Sequence, residues 1–247
     1  MKNTDVLIIG SSAAGLATAM SGKNNYPDKE FTVIRKEDQV MVPCGIPYIF
    51  GSLESSDQNV LPADSKYDAL GIKYQVGEVE NIDRKNKVCT LSDGSQIGYQ
   101  KLVMATGSYP FVPPIKGNEH PNCLVYRTLE DLDSIRASAE GVKTGVVVGG
   151  GLLGLEAANA LKSLGLEAHV VEFAPRLMPV QLDSDGGALL KHKIEELGVQ
   201  VHTEKATSEI VEGEDARLRM NFSDDSHLEA DLIVFSAGIR PRAALAR

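Results

Sequence analysis

Two glycine-rich turns, one near residue 10 and one near residue 150, constrain the fold of this chain more than any other feature. Each turn follows an apolar run, Val6–Ile9 or Val146–Val148, and each precedes a helical pattern. Small residues suit such a turn because the strand passes sharply into the helix and a phosphate group must approach the backbone closely. The N–H groups at the helix N-terminus then attract the anion. The pattern predicts two dinucleotide pyrophosphate sites, formed by Gly10, Ser11, Ser12, Ala13, Ala14 and Gly15 in the first turn and by Gly149, Gly151, Leu152, Leu153 and Gly154 in the second.

The second turn carries the more complete motif. Its three glycines, Gly149, Gly151 and Gly154, have the full spacing of the motif, and Glu172 stands at the end of the following predicted strand. A carboxylate at that position accepts hydrogen bonds from an adenosine ribose and repels a 2′-phosphate. NADH is therefore predicted over NADPH. Arg176, four positions further on, keeps NADPH as the less favoured alternative.

The first turn departs from the motif at two points. Ser12 replaces the middle glycine, and the strand after the turn ends in Arg35 and Lys36 where an acidic residue is expected. Either Glu37 supplies the carboxylate, or Arg35 meets the adenosine end of a nucleotide through its positive charge. An empty Rossmann-like core is the alternative to a nucleotide site here.

The order of apolar runs and turn signals predicts an α/β fold. We expect two Rossmann-like nucleotide-binding units of the FAD/NAD(P)-binding three-layer type, each with a central parallel sheet and a small β meander, over residues 1–112 and 113–247. Prolines at 110, 113 and 114 mark the connector. The predicted strands are 5–9, 31–34, 100–105, 144–148, 167–172, 199–203, 206–212, 216–222 and 228–236. The predicted helices are 13–22, 129–139, 152–164 and 183 to about 198, with an irregular stretch at 35–65 and the first meander at 72–91.

Composition excludes several classes of function. The net charge of −9 and the absence of a basic cluster argue against a nucleic-acid partner. No apolar run has the ~20 residues that a membrane-spanning helix needs, so no membrane association is expected. Three widely spaced cysteines favour reduced thiols and a cytoplasmic location over a disulfide framework. The five histidines show no metal-ligand spacing, and no metal site is expected.

Cys44 is the candidate redox residue, in the segment Pro43–Tyr48 (Pro-Cys-Gly-Ile-Pro-Tyr). Most free cysteines are small buried hydrophobic residues, which is the alternative for this one. Gly45 would leave access to the sulfur, and a short helix beginning near Ile46 would favour a thiolate through its N-terminal dipole. Cys89 and Cys123 lie in strand-like patterns and are predicted to be structural.

Several segments together resemble the flavin-dependent pyridine nucleotide-disulfide oxidoreductases. The Cys44 segment resembles the single-cysteine branch of that family, which holds coenzyme A disulfide reductases, persulfide reductases and NADH oxidases. From residue 101 onward, the chain is more similar to the N-terminal flavoprotein part of the large subunit of NADH-dependent nitrite reductase. The segments that carry the family resemblance are Leu7–Gly15, Cys44–Tyr48, Ala105–Gly107, Gly149–Glu156 and Ser236–Gly238; those that carry the second are Lys101–Gly117, Val171–Asp183 and Phe235–Arg242.

The resemblance implies two cofactors, an enzyme activity and a role for each site residue. NADH would pass a hydride to FAD, and a sulfur at Cys44 would carry the electrons to a disulfide, a persulfide or an oxygen-derived acceptor. NADH would bind the second turn, with Glu156 near the nicotinamide and Glu172 on the ribose. FAD would lie along the first turn, contacted by Arg35 and Lys36 at its adenosine end, by Val79 at the adenine, by Thr106 and Gly107 at the phosphates, and by Arg127.

Two departures from the family pattern bear on this function. Val40 and Pro43 stand where coenzyme A disulfide reductases carry Ser and Asn, which argues against coenzyme A as the thiol. Relatives continue past the Ala237–Pro241 segment into a part that completes the FAD site and a domain that forms a homodimer, whereas this chain ends at Arg247. We therefore expect a fragment of a full enzyme. The alternatives are an electron-input module of a nitrite reductase-like system, and a truncated nucleotide-binding domain without turnover.

Overall fold

The computed structural model describes residues 1–50, 53 and 55–247. The chain forms two compact units. Unit 1 comprises Met1–Gly45, Asp57–Tyr109 and Pro241–Arg247, and unit 2 comprises Ile46–Ser56 and Pro110–Arg240. The main break lies between Tyr109 and Pro110, and two short segments, 46–56 and 241–247, belong to the unit on the other side of it.

Unit 1 is built on a six-stranded sheet in the order β3-β2-β1-β6-β5-β4. The first four strands of that order are parallel, and β5 and β4 add an antiparallel edge. Two helices belong to this unit, α1 (Ala13–Asn25) and α2 (Ala63–Leu70). The strands are β1 (Lys2–Ile9), β2 (Phe31–Arg35), β3 (Lys73–Val76), β4 (Val79–Asp83), β5 (Val88–Leu91) and β6 (Gln96–Met104).

Side chains of unit 1 form an apolar core on each face of this sheet. All five residues of β2 are buried, as expected for a parallel strand covered on both faces. Ile8 and Val33 pack under α1 and α2 with Leu16 and Tyr67, whereas Leu7 and Ile34 face the opposite core. Alternate residues of β1 and β2 therefore serve opposite layers.

Unit 2 repeats the plan with a five-stranded parallel sheet in the order β11-β10-β9-β15-β8. An antiparallel meander, β12-β13-β14, accompanies it. The strands are β8 (Cys123–Val125), β9 (Thr144–Val148), β10 (Glu167–Val171), β11 (Gln200–His202), β12 (Thr207–Glu212), β13 (Leu218–Phe222), β14 (His227–Ala230) and β15 (Leu232–Phe235); the helices are α3 (Leu129–Ala139), α4 (Leu152–Ser163) and α5 (Ser184–Glu196). Two three-residue strands, β7 (Ser108–Pro110) and β16 (Ile239–Pro241), pair with each other.

The α/β expectation is confirmed, and three local predictions are wrong. The stretch 35–65, expected to be irregular, contains two 3-10 helices, Pro43–Phe50 and Ser56–Asn59, and the start of α2. The first strand of the predicted 72–91 meander, β3, pairs in parallel with β2. The strand predicted at 228–236 divides into β14 and β15, which belong to different sheets.

Asp231 explains the division between β14 and β15. Its carboxylate accepts the N–H groups of Lys143 and Thr144, each at 2.9 Å. This anchors the turn between the two strands at the start of β9, so the chain leaves the meander and enters the parallel sheet. No helix among the described residues is long and apolar enough to cross a bilayer; α1 and α5 have 13 residues each.

Candidate functional site

The first and last glycines of the two turns make close backbone contacts that exclude a side chain at those positions. In unit 1, a Cβ on Gly10 would lie 2.2 Å from the carbonyl oxygen of Ala105, and one on Gly15 would lie 1.9 Å from that of Gly10. In unit 2, a Cβ on Gly154 would lie 1.9 Å from the carbonyl oxygen of Gly149. Gly10 and Gly149 also have positive φ values of +107° and +121°, which favour glycine. Gly10, Gly15, Gly149 and Gly154, the first and last glycines of the two motifs, are thus required by the turns themselves.

The helices that follow the two turns lack side-chain caps. Ser12, the N-cap of α1, makes no side-chain capping bond, and Gly151, the N-cap of α4, has no side chain. By contrast, Thr128 caps the N-terminus of α3 in a capping box, and the carboxylate of Asp183 accepts the N–H of Gly186 at the start of α5. Unpaired N–H groups at a helix start bind an anion readily. The N-termini of α1 and α4 therefore fit the phosphates of a dinucleotide.

Glu172 supports the second turn from the end of β10. It is 5% exposed, and its Oε2 accepts the N–H of Gly150 at 2.7 Å while its Oε1 accepts the N–H of Ala174 at 2.8 Å. Each carboxylate oxygen can accept a second hydrogen bond, so ribose hydroxyls can still be bound. The Arg176 guanidinium donates to the carbonyls of Leu182 (2.9 Å) and Pro179 (3.2 Å). Arg176 therefore stabilises its own loop.

A cavity of about 640 Å³ in unit 1 brings together several residues predicted for the first site. Lys36 lies at the cavity and pairs with Glu78 at 2.8 Å, and Thr106 donates to the carbonyl of Arg242 at 2.8 Å. The backbone N–H of Arg242 donates to the carbonyl of Gly107, the residue after Thr106, at 3.0 Å. The lining includes Gly10, Lys36, Glu37, Val79 and Thr106.

Arg35 is placed differently from these cavity residues. It is 5% exposed, and its guanidinium binds both carboxylate oxygens of Asp64 and the backbone carbonyl of Asp38. The bond to Asp64 raises the pKa of Arg35 against the opposing effect of burial. Of the two alternatives at the end of β2, Glu37 is the residue that lines the cavity, whereas Arg35 is committed to Asp64.

Five other predicted site residues lie at the start of a helix or directly before its N-cap. Ala13 and Ala14 are exposed at the start of α1, as Leu152 is at the start of α4, where Leu153 is half-buried. The backbone N–H of Arg127 donates to the Asp131 carboxylate at 2.9 Å.

Glu156 lies on α4 in a partly buried environment in unit 2. Burial raises the pKa of its carboxyl. The pKa of Tyr126 is also raised, first by burial and then by the charge of Glu156. Within the described residues the Tyr126 hydroxyl is buried without a hydrogen-bond partner. Glu156 thus lies in a partly buried setting near the phenol of Tyr126.

Cys44 differs from the other two thiols in its accessibility. It is exposed, as the second residue of the Pro43–Phe50 3-10 helix. Burial raises the pKa of Cys89 and of Cys123 to about 11, which keeps both protonated near neutral pH. A Cβ on the neighbouring Gly45 would lie 1.8 Å from the side-chain oxygen of Asn59, so any larger residue there would force the Asn59 side chain to move. The exposed Cys44 thiol thus lies next to a closely packed residue, Gly45.

Comparison with known proteins decides the family. The model of the pyridine nucleotide-disulphide oxidoreductases matches residues 4–247. The chain belongs to this family. It is 47% identical to the large subunit of the NADH nitrite reductase of Escherichia coli K12 over all of this chain and 30% of that protein.

Solved structures agree with this assignment. An NAD-dependent persulfide reductase from A. fulgidus superposes with a TM-score of 0.90 at 30% identity, over 99% of this chain and 47% of that one. The water-forming NADH oxidase of Lactobacillus brevis, solved with NADH, gives 0.88 at 25% identity, over 98% of this chain and 55% of that one. This oxidoreductase chain thus spans about a third to a half of the length of these relatives.

Family membership implies FAD and NADH as cofactors, and the two turns fit them. Each turn offers the uncapped helix start and the glycine contacts described above. In the part of the chain that the structure describes, no three His, Cys, Asp or Glu side chains are grouped as metal ligands.

Three further residues at these sites were not predicted from the sequence. Tyr67 and Asp64 reach the first turn and Arg35 from α2, a helix that the sequence pattern did not reveal. Phe173 follows Glu172 directly and is 78% exposed. A large exposed aromatic ring beside the Glu172 carboxylate is a surface on which a base can stack. Its position after Glu172 is the signal that could have identified it.

Proposed function

We propose that this chain is the nucleotide-binding part of an oxidoreductase that takes a hydride from NADH and delivers the electrons through Cys44 to a disulfide, a persulfide or an oxygen-derived acceptor. The observation that carries the proposal is the exposed Cys44 on a short helix, in a chain whose other two thiols are held protonated by burial. The similarity to a persulfide reductase and to an NADH oxidase supports it. We also propose a cytoplasmic location, because all three cysteines are free thiols.

The residues of the chain would contribute binding, orientation and a nucleophile. Glu172 and the start of α4 would hold NADH, and the first turn with its cavity would hold the adenosine diphosphate part of FAD. Bound FAD supplies the acceptor for the hydride of NADH. With a disulfide as acceptor, the Cys44 thiolate would attack one sulfur, the S–S bond would break, and one thiol would leave. Cys44 would then be held in a mixed disulfide, and the electron pair that originates from NADH would reduce this S–S bond, with one proton taken up, to release the second thiol and restore the Cys44 thiolate.

A second candidate function is supported by the similarity to nitrite reductase. The chain aligns over its whole length with the E. coli large subunit at 47% identity. In this alternative, the two nucleotide sites would feed electrons to a separate metal centre, and Cys44 would have no part in turnover.

One set of variants distinguishes the two functions. The chain is loaded with FAD and titrated with NADH without oxygen, which should bleach the flavin absorbance. NADH oxidation is then measured with a low-molecular-weight disulfide or with ferricyanide, a one-electron acceptor that needs no thiol. Cys44→Ser should lose the disulfide activity and keep the ferricyanide activity. Cys123→Ser, the matched control, should keep both.

Each other result has a definite meaning. Full disulfide turnover by Cys44→Ser would contradict the thiol route and favour the nitrite reductase-like module. NADH binding without any flavin bleaching would leave a nucleotide-binding chain without turnover, and would contradict both electron-transfer functions.

A further inference from the structure

The short helix α2 places two polar side chains against the first nucleotide site. Asp64 and Tyr67 are three residues apart, so they lie on one side of the helix. Tyr67 reaches the glycine turn and Asp64 reaches the end of β2. One helix therefore contacts both points of unit 1 where a Rossmann-type fold meets its dinucleotide.

Tyr67 holds the turn through a buried hydrogen bond. Its ring is 0% exposed, and its hydroxyl lies 2.7 Å from the Oγ of Ser11, which is 4% exposed. Burial raises the pKa of Tyr67, and the bond to Ser11 opposes that effect. Ser11 lies between Gly10 and the N-cap Ser12, so a bond that fixes its side chain inward also fixes the backbone that faces the phosphates.

Asp64 neutralises Arg35 from the same helix. The guanidinium is bidentate on Asp64 and lies over the ring of Tyr74, 5.5 Å from its centroid. Tyr74 in turn packs against Tyr67 with the ring centroids 5.7 Å apart. A positive charge that is buried and paired in this way is not available to a ligand.

Unit 2 shows what this arrangement replaces. There the second residue of the turn, Gly150, is held directly by Glu172, which stands at the end of β10. Arg35 occupies the matching place at the end of β2, and a guanidinium has no acceptor for a backbone N–H. Unit 1 therefore needs another support for its turn, and the hydrogen bond between the Tyr67 and Ser11 hydroxyls is at the matching residue.

We propose that Tyr67 and Asp64 are positioning residues for FAD, and that α2 takes the place of the missing strand-end carboxylate in unit 1. Tyr67 sets the pyrophosphate turn through Ser11. Asp64 keeps the Arg35 guanidinium away from the adenosine end. The inference rests on FAD as the nucleotide of unit 1, which is part of the proposed function.

The test measures FAD and NADH dissociation constants for single variants of the whole chain. Tyr67→Phe should weaken FAD binding about five- to tenfold, the usual effect of one lost buried hydrogen bond. NADH affinity should not change, because the NADH site lies in unit 2. Tyr74→Phe is the matched control: it removes the hydroxyl of the neighbouring ring and should leave both constants unchanged.

A double-mutant cycle separates positioning from general destabilisation. Ser11→Ala should weaken FAD binding as much as Tyr67→Phe, and the double variant should be no worse than either single one. Ser11→Ala also keeps the test open if Tyr67→Phe does not fold. Unchanged FAD affinity in these variants, equal losses with Tyr74→Phe, or additive losses would overturn the inference. A failure of the unsubstituted chain to take up any FAD would instead overturn the proposed function, and this inference with it.

Discussion

The two glycine turns share one backbone geometry although their sequences differ. The N–H of Gly10 donates to the carbonyl of Ile34 at 2.7 Å, and the N–H of Gly149 donates to that of Val171 at 2.8 Å. In both units the first glycine has a positive φ and the last glycine touches its carbonyl oxygen. The path of the turn is therefore dictated by steric contacts that only glycine allows, at two positions of each motif.

The support of the second turn residue is where the units differ. Gly150 is held by a carboxylate from the adjacent strand, whereas Ser11 is held by a tyrosine from α2. Arg35 stands at the position of unit 1 that corresponds to Glu172 of unit 2, where a carboxylate would be expected. The same backbone path can thus be stabilised from the adjacent strand or from a separate helix. The charge of the side chain at the strand end differs accordingly, negative for Glu172 and positive for Arg35.

The largest effects should come from the last glycine of each turn. Gly154→Ala forces a Cβ against a backbone oxygen at 1.9 Å, which the turn cannot accommodate without moving. We expect NADH affinity to fall by about 100-fold, as overpacking at a rigid site costs up to about 3 kcal/mol. Gly15→Ala should do the same to FAD. Both constants are measured for both variants, and each variant is the control for the other. Loss of both ligands in either variant would show that the two sites do not respond separately.

Glu172→Ala should have the next largest effect, confined to NADH. The substitution removes the acceptor of two backbone N–H groups and the residue proposed to bind the ribose hydroxyls. We expect a 30- to 100-fold loss of NADH affinity, corresponding to about 2–3 kcal/mol, with FAD affinity unchanged. Glu204→Gln, at an exposed position, is the control. NADH affinity within the error of the unsubstituted chain would mean that the ribose is bound elsewhere.

Features defined by local sequence were predicted, and those that depend on distant partners were not. The turns follow from glycine spacing after buried strands, and both lie where they were expected. The helix α2 was missed because it spans eight residues after Pro62 and has few apolar positions. Its stability comes from Tyr67 and Ala63 in the core, which no local periodicity reveals.

The role of Arg35 shows the same limit at the site. Its sequence position is that of a ribose ligand, and the sequence therefore predicts a contact between its positive charge and FAD. The bond to Asp64 joins residues 29 positions apart in the chain, through a helix that was not predicted. Spacing along the chain identifies the strand end, but the partner that neutralises a charge there depends on packing.

A pH-dependent difference between the units should arise from two histidines in unit 2. His169 Nδ1 lies 3.0 Å from His202 Nε2, with the rings stacked 5.3 Å apart. Burial is the main cause that lowers the pKa of both residues; His169, Lys191 and Lys205 lower that of His202 further, whereas Glu167 opposes the shift of His169. The carbonyl of His202 accepts the N–H of Glu172 at 2.8 Å, which connects the pair to the residue proposed to bind the ribose.

The unfolded chain should therefore bind protons before the folded chain does as the pH falls. Stability from the pair is complete above the unfolded pKa of about 6.5 and is lost below it, at up to about 1.4 kcal/mol per pH unit for each proton of difference. Urea unfolding and NADH affinity at pH 7.5 and 5.5 measure this loss. His169→Leu should reduce the pH dependence, and His192→Gln, at an exposed position, should not. Equal slopes in all three proteins would exclude the pair as its source.

The smallest effect is expected at the middle residue of each turn, Ser12 or Gly151. Their N-cap conformations agree closely, with φ and ψ of −74° and −165° for Ser12 and −80° and 177° for Gly151. A Cβ on Gly151 would meet nothing within 4 Å. Serine and glycine differ by only a few tenths of a kcal/mol as N-caps. Gly151→Ser should therefore change NADH affinity by less than about threefold. A tenfold loss, with Ser12→Gly leaving FAD affinity unchanged, would mean that the phosphates of NADH occupy the space beside Gly151 and approach α4 more closely than those of FAD approach α1.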